Sequence, residues 1–368
     1  MTRILHVISS LVGGGAETQL KLLMKKSRDK NLEVGVIFLY DDKELSDRRG
    51  ITFYKLSRGR KMDLIGLSKR IFRAIDDFKP DLIHTWLPEI MCIPAALYAR
   101  QIGIPCLGAQ RRSLAKNVGW RCKLRDIFIP INHLLNERVV TNFSHDNEPF
   151  YIKFILDRRM ATTVRNGLED CHILNPKVGS FLREEAFKLI FVGRLVKHKN
   201  VDLLISAISE LIADGLDVQL SIYGEGVERD TLHEQATRLG LIKSNAIEFC
   251  GYSSKWRDHS SPYDCFVLPT SAEGMPNVLI EAMSAGLPTI ATSIYEISSF
   301  VENRVQSLLV EPESSESIVV GIKEVMSDLQ LRGRLINGGS DLAKTFSVDS
   351  MAESYFCIYS EMLGRQAY

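Results

Sequence analysis

The chain has 368 residues, which at the usual 100–200 residues per domain predicts two domains. With 45% hydrophobic and 25% charged residues it has the composition of a folded globular protein, excluding disorder, collagen and coiled-coil arrays. The 46 basic and 45 acidic residues argue against an indiscriminate polyanion binder, yet residues 1–165 carry 29 basic against 17 acidic and residues 166–368 carry 17 against 28, so a +12 half is cancelled by a −11 half.

Short apolar, β-branched runs predict strands over 3–9, 33–40, 81–85, 104–109 and 138–142. Among them, 63–78 has helical period, with apolar residues at Leu64, Ile65, Leu67, Ile71, Phe72 and Ile75. Turn residues cluster over 166–187 and mark the expected domain boundary. Strands resume over 188–192, 218–223, 246–250, 265–268, 289–292 and 308–310, and 349–363 again has helical period. Near-continuous apolar strands alternating with helices mean parallel sheets covered on both faces. The expected fold class is therefore α/β, with two Rossmann-like, doubly wound domains over 1–165 and 166–348. Ligands of such sheets bind beyond the carboxyl ends of the strands, so a cleft between two facing domains is the expected site.

No stretch approaches 18 uninterrupted apolar residues, and the amino terminus runs into a strand without signal-peptide architecture. The seven cysteines (92, 106, 122, 171, 250, 265, 357) form no C-x-x-C pair, which predicts reduced thiols and a cytoplasmic address. H-E-x-x-H, Walker-A and D-x-D motifs are absent.

The residues just after strands carry the chemistry. Gly13, Gly14 and Gly15 follow the first strand and precede a helical stretch, where backbone can approach an anion. They satisfy only two positions of a dinucleotide fingerprint, whose third falls on Thr18, while Asp41 stands where a ribose-binding acid could; a nicotinamide reading stays open. In the second half, Gly193, Arg194 and Lys199 follow strand 188–192, and two fixed cations there could neutralise a diphosphate without a metal. Lys197 reads as solvated. Gly224-Glu225-Gly226 and Gly251-Tyr252 follow the next two strands, the latter with backbone that could meet a nucleobase edge. The densest block is Glu273-Gly274-Met275-Pro276-Asn277 with Glu281 further on. Pro276 suits a first helical position, the first-turn N–H groups suit a diphosphate, and the two carboxylates can accept sugar hydroxyls. Taken singly, each has a plainer reading as a solvated loop or a helix-dipole partner.

Together these elements resemble glycosyltransferase family 4, a retaining group with the GT-B architecture. The likeness rests on F-V-G-R-L-V-K-H-K at 191–199, G-E-G at 224–226, F-C-G-Y at 249–252 and E-G-M-P-N-V-L-I-E-A at 273–282. G-G-G-A-E at 13–17, P-D-L-I-H at 80–84 and R-N-G at 165–167 add to it, so essentially the whole chain is covered in the correct order. The resemblance implies a nucleotide-diphosphate sugar, commonly a UDP-sugar, held by the second domain without metal or cofactor. Arg194 and Lys199 would bind the diphosphate, Glu273 the transferred hexose or N-acetylhexosamine, and Glu281 the ribose. Gly14 and Gly15 would meet the diphosphate and sugar. Gly274, Met275, Pro276, Asn277, Gly224, Gly251 and Tyr252 would complete the donor site. Segment 349–368 would cross back to the first domain as a helix. Catalysis would be charge stabilisation and positioning, with the acceptor hydroxyl attacking the same sugar face that the diphosphate leaves.

Where many relatives carry T-x-H after the fourth strand, this chain reads Gly108-Ala-Gln-Arg111-Arg112-Ser113, wording similar to a subset acting on lipid-linked glycans. Arg111 or Arg112 is then expected at an anionic group, and His84 is the remaining histidine candidate on the acceptor side, against a plainer reading as a core histidine. Ser293-Ile-Tyr-Glu296 replaces the usual glycine-rich turn. Cations of the first half cluster at 58–61, 69–73 and 111–125, the last mixed with Trp120 and Leu124 and followed by Ile127, Phe128 and Ile129. Such a surface suits an anionic leaflet or a polyprenyl-diphosphate-linked glycan acceptor, and no nucleic acid. The expected function is a transferase of cell-surface polysaccharide assembly, peripheral on the inner face of the cytoplasmic membrane. A sugar-nucleotide epimerase, a nicotinamide-dependent dehydrogenase and a non-catalytic glycan-binding relative are the competing readings.

Overall fold

The computed structural model of the chain describes residues 1–12, 15–40, 50–56, 63–111, 128–143, 148, 150–168, 186–253, 256–260 and 262–364. It divides into two units: residues 1–169 with 347–368, and residues 170–346.

The first unit is built on strands β1 (Thr2–Val7), β2 (Leu32–Phe38), β3 (Ile51–Lys55), β4 (Leu82–Thr85), β5 (Cys106–Gln110), β6 (Arg138–Thr141) and β7 (Thr162–Thr163). They form one sheet in the order β3-β2-β1-β4-β5-β6-β7, every pairing parallel. Its helices are α1 (Gly15–Ser27), α2 (Leu64–Phe78), α3 (Cys92–Ile102), α4 (Phe128–Leu135) and α5 (Phe150–Arg158). Alternate residues of β1 feed opposite faces: Ile4 joins a core under α1, while Leu5 and Val7 join one under α2 and α3. This is why the central strands read as continuous apolar runs. Strand β3 was not among the expected strands, and the reason is its place: at the sheet edge it is only half-covered, so its sequence lacks that run. Helix α2 starts where Asp63 Oδ1 accepts the Gly66 N–H at 2.8 Å and stops at Lys79 in the left-handed conformation, just before Pro80. Its first turn escapes the core, since Ile65 is 74% exposed and burial begins at Ile71.

The second unit contains β8 (Phe187–Val192), β9 (Val218–Tyr223), β10 (Ile247–Gly251), β11 (Cys265–Leu268), β12 (Thr289–Thr292) and β13 (Leu308–Val310). Its order, β10-β9-β8-β11-β12-β13, repeats that of the first six strands, again all parallel. The accompanying helices are α6 (Val201–Ala213), α7 (Arg229–Arg238), α8 (Asn277–Ser284), α9 (Tyr295–Ser298), α10 (Ser315–Ser327) and α11 (Leu329–Lys344). In each unit the strand order reverses between its first and fourth strands, which opens a ligand crevice at the carboxyl edge there.

The chain enters and leaves the second unit by neighbouring segments. Leu168 bridges Ser347, and a Cβ at Gly167 would stand 2.7 Å from Val348 Cα, so only glycine fits. The buried Gln19 amide grips both polar groups of Gly167, donating to its carbonyl at 2.9 Å and accepting from its N–H at 2.7 Å. Ser347 then caps α12 (Val348–Met362), which returns to the first unit and buries Met351, Tyr355, Phe356 and Tyr359 in the α1-side core.

Candidate functional site

In the second unit, the loops after β8 and β11 flank the reversal point, and hydrogen bonds stitch them together. The Asn200 amide donates to the Pro269 carbonyl at 3.0 Å, and the His198 carbonyl accepts from the Ser271 N–H at 2.8 Å and the Thr270 hydroxyl at 3.1 Å. This stitching brings Lys199 and Glu273 into direct contact, Nζ to Oε1, with side chains only 10% and 11% exposed. Cation and carboxylate thus form a shielded pair at the crevice mouth, each neutralising the other where desolvation would otherwise be costly. Arg194, five residues before Lys199, is exposed, and no ion pair holds it among the described residues. Lys197 is mostly solvent-exposed, beside Asp202 at 3.8 Å.

The loops after β9 and β10 close the same edge. Gly193 N–H donates to Tyr223 O at 2.9 Å, Leu195 N–H to Glu225 O at 2.9 Å, and Gly224 N–H to Gly251 O at 2.8 Å. A Cβ at Gly224 would lie 1.8 Å from the Gly193 carbonyl oxygen, and φ there is +147°, so the turn admits no side chain. Tyr252 just beyond is 74% exposed.

After β11 the chain passes Glu273, Gly274 and Met275, all half-buried, to Pro276, which precedes the helix rather than opening it. Helix α8 begins at Asn277, and no side chain caps its first turn. Glu281 follows on α8, with Oε2 accepting from the Trp256 indole N–H at 3.2 Å. Burial raises its carboxyl pKa above the ordinary value, against the opposing pull of Arg257 and the Trp256 bond. Trp256 carries no motif and is absent from the expected site, because its contact with Glu281 exists only once α8, which follows β11, is folded against the turn that follows β10. Glu296, in α9 after β12, is a buried carboxylate whose Oε1 has no partner.

In the first unit the outcome differs from expectation. His84 lies inside β4, fully buried, its ring 4.8 Å from that of Trp86 and its Nδ1 2.7 Å from the Tyr359 hydroxyl. Burial, reinforced by His6 and Arg111, holds its pKa well below 6.5, so the ring is neutral. It is the core histidine, with no surface left for an acceptor. Arg111 is likewise 8% exposed: Nη1 donates to Asn166 Oδ1 at 2.9 Å, Nη2 donates to the Tyr355 hydroxyl, and the guanidinium lies 4.7 Å from the Trp86 ring centre. The expected anion contact is corrected to a structural tie between β5, the 166–167 crossing and α12. Gly15 opens α1 and is exposed. Gly13, Gly14, Asp41, Arg112, the 58–61 cluster and 112–125 lie outside the described residues. A cavity of about 300 Å³ opens at the carboxyl edge of β1 and β2, lined by Tyr40, Leu64, Leu67, Arg70, Glu89 and Ile90 among others. Among the described residues no three His, Cys, Asp or Glu side chains gather closely enough to hold a metal ion, and no helix is long and apolar enough to cross a membrane.

Two doubly wound units of this strand order have the architecture of the GT-B fold. The solved structure of Anabaena HepE with UDP and glucose superposes with a TM-score of 0.81 at 21% identity, over 98% of this chain and 100% of that one. Residues 177–341 match the family model of glycosyl transferases group 1. Among curated relatives, the lipopolysaccharide core biosynthesis glycosyltransferase LpsE of Rhizobium meliloti is 31% identical over 45% of this chain and 47% of its own length. LpsD of the same organism is 24% identical over 98% of this chain and 94% of its own. An Escherichia coli UDP-Gal:α-D-GlcNAc-diphosphoundecaprenol α-1,3-galactosyltransferase is 23% identical over 80% and 78%. The chain thus spans about half the length of LpsE but nearly all of LpsD.

Proposed function

We propose that the protein transfers a hexose or N-acetylhexosamine from a UDP-sugar to a hydroxyl of a lipid-linked glycan during cell-surface polysaccharide assembly, with retention and without a metal. The observation that carries this reading is the Lys199–Glu273 pair, with exposed Arg194 on the same loop after β8, at the strand-order reversal of the second unit. Such a group offers charge to a diphosphate and a carboxylate to a sugar at one place. In the reaction the bond from the anomeric carbon to the UDP oxygen breaks with its electron pair going to the departing diphosphate, the acceptor oxygen takes its place on the same face, and the hydroxyl proton passes to that diphosphate oxygen. Arg194 and Lys199 would stabilise the departing UDP, Glu273 would hold the sugar and Glu281 the ribose. HepE with UDP and the UDP-galactose-dependent relative support UDP as carrier, and the latter supports an acceptor on a polyprenyl diphosphate.

The basic first unit is assigned to the acceptor, with its approach to an anionic leaflet helped by Lys69, Arg70 and Arg73 on α2. The primary test is a thermal-shift panel of nucleotide sugars with NADH as comparison. A cognate donor at about 100 times its Kd adds roughly 2.7 kcal/mol to stability. Acceptor-dependent UDP release that persists in EDTA completes the case. Stabilisation by NADH alone, or UDP release requiring a divalent ion, would overturn it. Flotation with anionic liposomes tests the membrane part, which fails if binding is absent at low salt.

A further inference from the structure

Glu281 does not stand in its site unaided. Trp256 lies in the single turn Trp256–His259 between β10 and β11, is 3% exposed, and stacks on Phe266 of β11 with ring centres 6.1 Å apart and planes 24° from parallel. An indole so confined cannot swing, and its one N–H is spent on Glu281 Oε2 at 3.2 Å. A carboxylate has two oxygens, and no hydrogen bond from the described residues reaches Oε1. Nor is Oε1 among the buried atoms left without a partner. It is therefore the oxygen open to a ligand. Burial raises the carboxyl pKa, and Arg257, one residue on, and the Trp256 bond oppose that shift.

We infer that Trp256 is a positioning residue for nucleotide recognition: its indole N–H holds Glu281 Oε2 so that the carboxylate turns Oε1 to the vicinal hydroxyls of the ribose. This rests on the assignment of Glu281 to the ribose made above. An unheld glutamate would sample several χ3 orientations, and each ribose hydrogen bond would then have to order the side chain as well. The preorganised carboxylate binds the diol without that cost. It also gives Trp256 an effect on the ribose that pure packing would not produce.

The test compares UDP with 2′,3′-dideoxy-UDP, which lacks both hydroxyls, by calorimetry on the wild-type chain and Trp256→Phe. Phenylalanine keeps an aromatic ring against Phe266 and removes the N–H. The wild type is expected to prefer UDP by about tenfold or more, the size of a charge-assisted hydrogen bond. In W256F UDP binding should weaken about tenfold while dideoxy-UDP binding stays unchanged, so the preference collapses. Equal weakening of both nucleotides makes Trp256 a packing residue and overturns the inference, as does a variant that keeps the full preference. A wild type that binds neither nucleotide overturns the functional reading itself, a distinguishable failure. If W256F does not fold, the wild-type indole ¹⁵N–¹H resonance of Trp256 decides. The chain has three tryptophans, and the resonance is assigned by its shift in Glu281→Gln. Saturating UDP should move it and saturating dideoxy-UDP should not; movement by both or by neither overturns the proposal.

Discussion

Mild acid should unfasten the first unit while sparing the second. Every histidine buried among the described residues, His6, His84 and His133, belongs to the first unit. Burial lowers the pKa of His6 and of His133 to about 3, and that of His84 falls well below 6.5. The hydrogen bonds agree with neutral rings. His6 Nδ1 accepts from the Trp86 indole at 3.0 Å, where a proton would set two donors against each other. His133 Nε2 faces the acceptor Gln110 Oε1 at 2.7 Å and so carries the ring hydrogen, leaving Nδ1 buried without a partner. In the unfolded chain each ring titrates near 6.5, so below that pH the unfolded state takes up protons that the folded state refuses. Stability is therefore complete above about pH 6.5 and drains away as pH falls toward the folded values. Each histidine costs on the order of 1 kcal/mol at pH 5.5, and the three together a few kcal/mol relative to pH 7.5. Denaturant titrations at pH 7.5, 6.5 and 5.5, resolved by hydrogen-exchange mass spectrometry, should show this loss in strands β1, β4 and helix α4 but not in β8–β13. His133→Gln should remove about a third of the slope. A first unit whose stability is flat from pH 7.5 to 5.5, or a second unit that falls as steeply, would refute the reasoning.

The Lys199–Glu273 pair should behave as a unit: Lys199→Met or Glu273→Gln alone should cost about 3 kcal/mol by leaving a shielded charge uncompensated, and the double variant less than the sum, as read in a double-mutant cycle. Both single variants should also lose transferase activity, whereas Lys197→Ala, on a solvent-exposed side chain, should retain it in the same assay. Gly224→Ala must move the Gly193 carbonyl and adopt an unfavourable φ, so calorimetric unfolding should show a loss of more than about 2 kcal/mol together with weaker donor binding. Arg111→Lys gives up the Asn166 and Tyr355 bonds at once and should cost about 2 kcal/mol, lowering Tm by several degrees without raising the KM for acceptor.

Strands such as Phe187–Val192 and Cys265–Leu268 were legible because a parallel strand buried on both faces must be apolar at nearly every position. Gly224 and Gly226 after β9 were legible too, since close backbone approach there leaves no choice of residue. What the sequence hid were properties that depend on distant chain. His84 could be read as a reactive base or a core residue, and the difference is made by Tyr359, 275 residues further along. Arg111 likewise owes its burial to Tyr355. Trp256 is silent in one dimension because its partner lies beyond the next strand, and strand β3 because an edge position relaxes the apolar requirement.

The return of α12 to the first unit has a consequence for how the molecule is made. Residues 170–346 are contiguous and can fold as soon as they clear the ribosome, but the first unit is interrupted in sequence and lacks one of its core helices until α12 emerges. Until then Trp86, His84 and Arg111 lack the two tyrosines that α12 lays against them. The half of the chain synthesised first is thus the half completed last. During that interval an incomplete, strongly basic unit is tethered to a finished acidic one, and a folding chaperone would find its exposed apolar surface on the earlier segment.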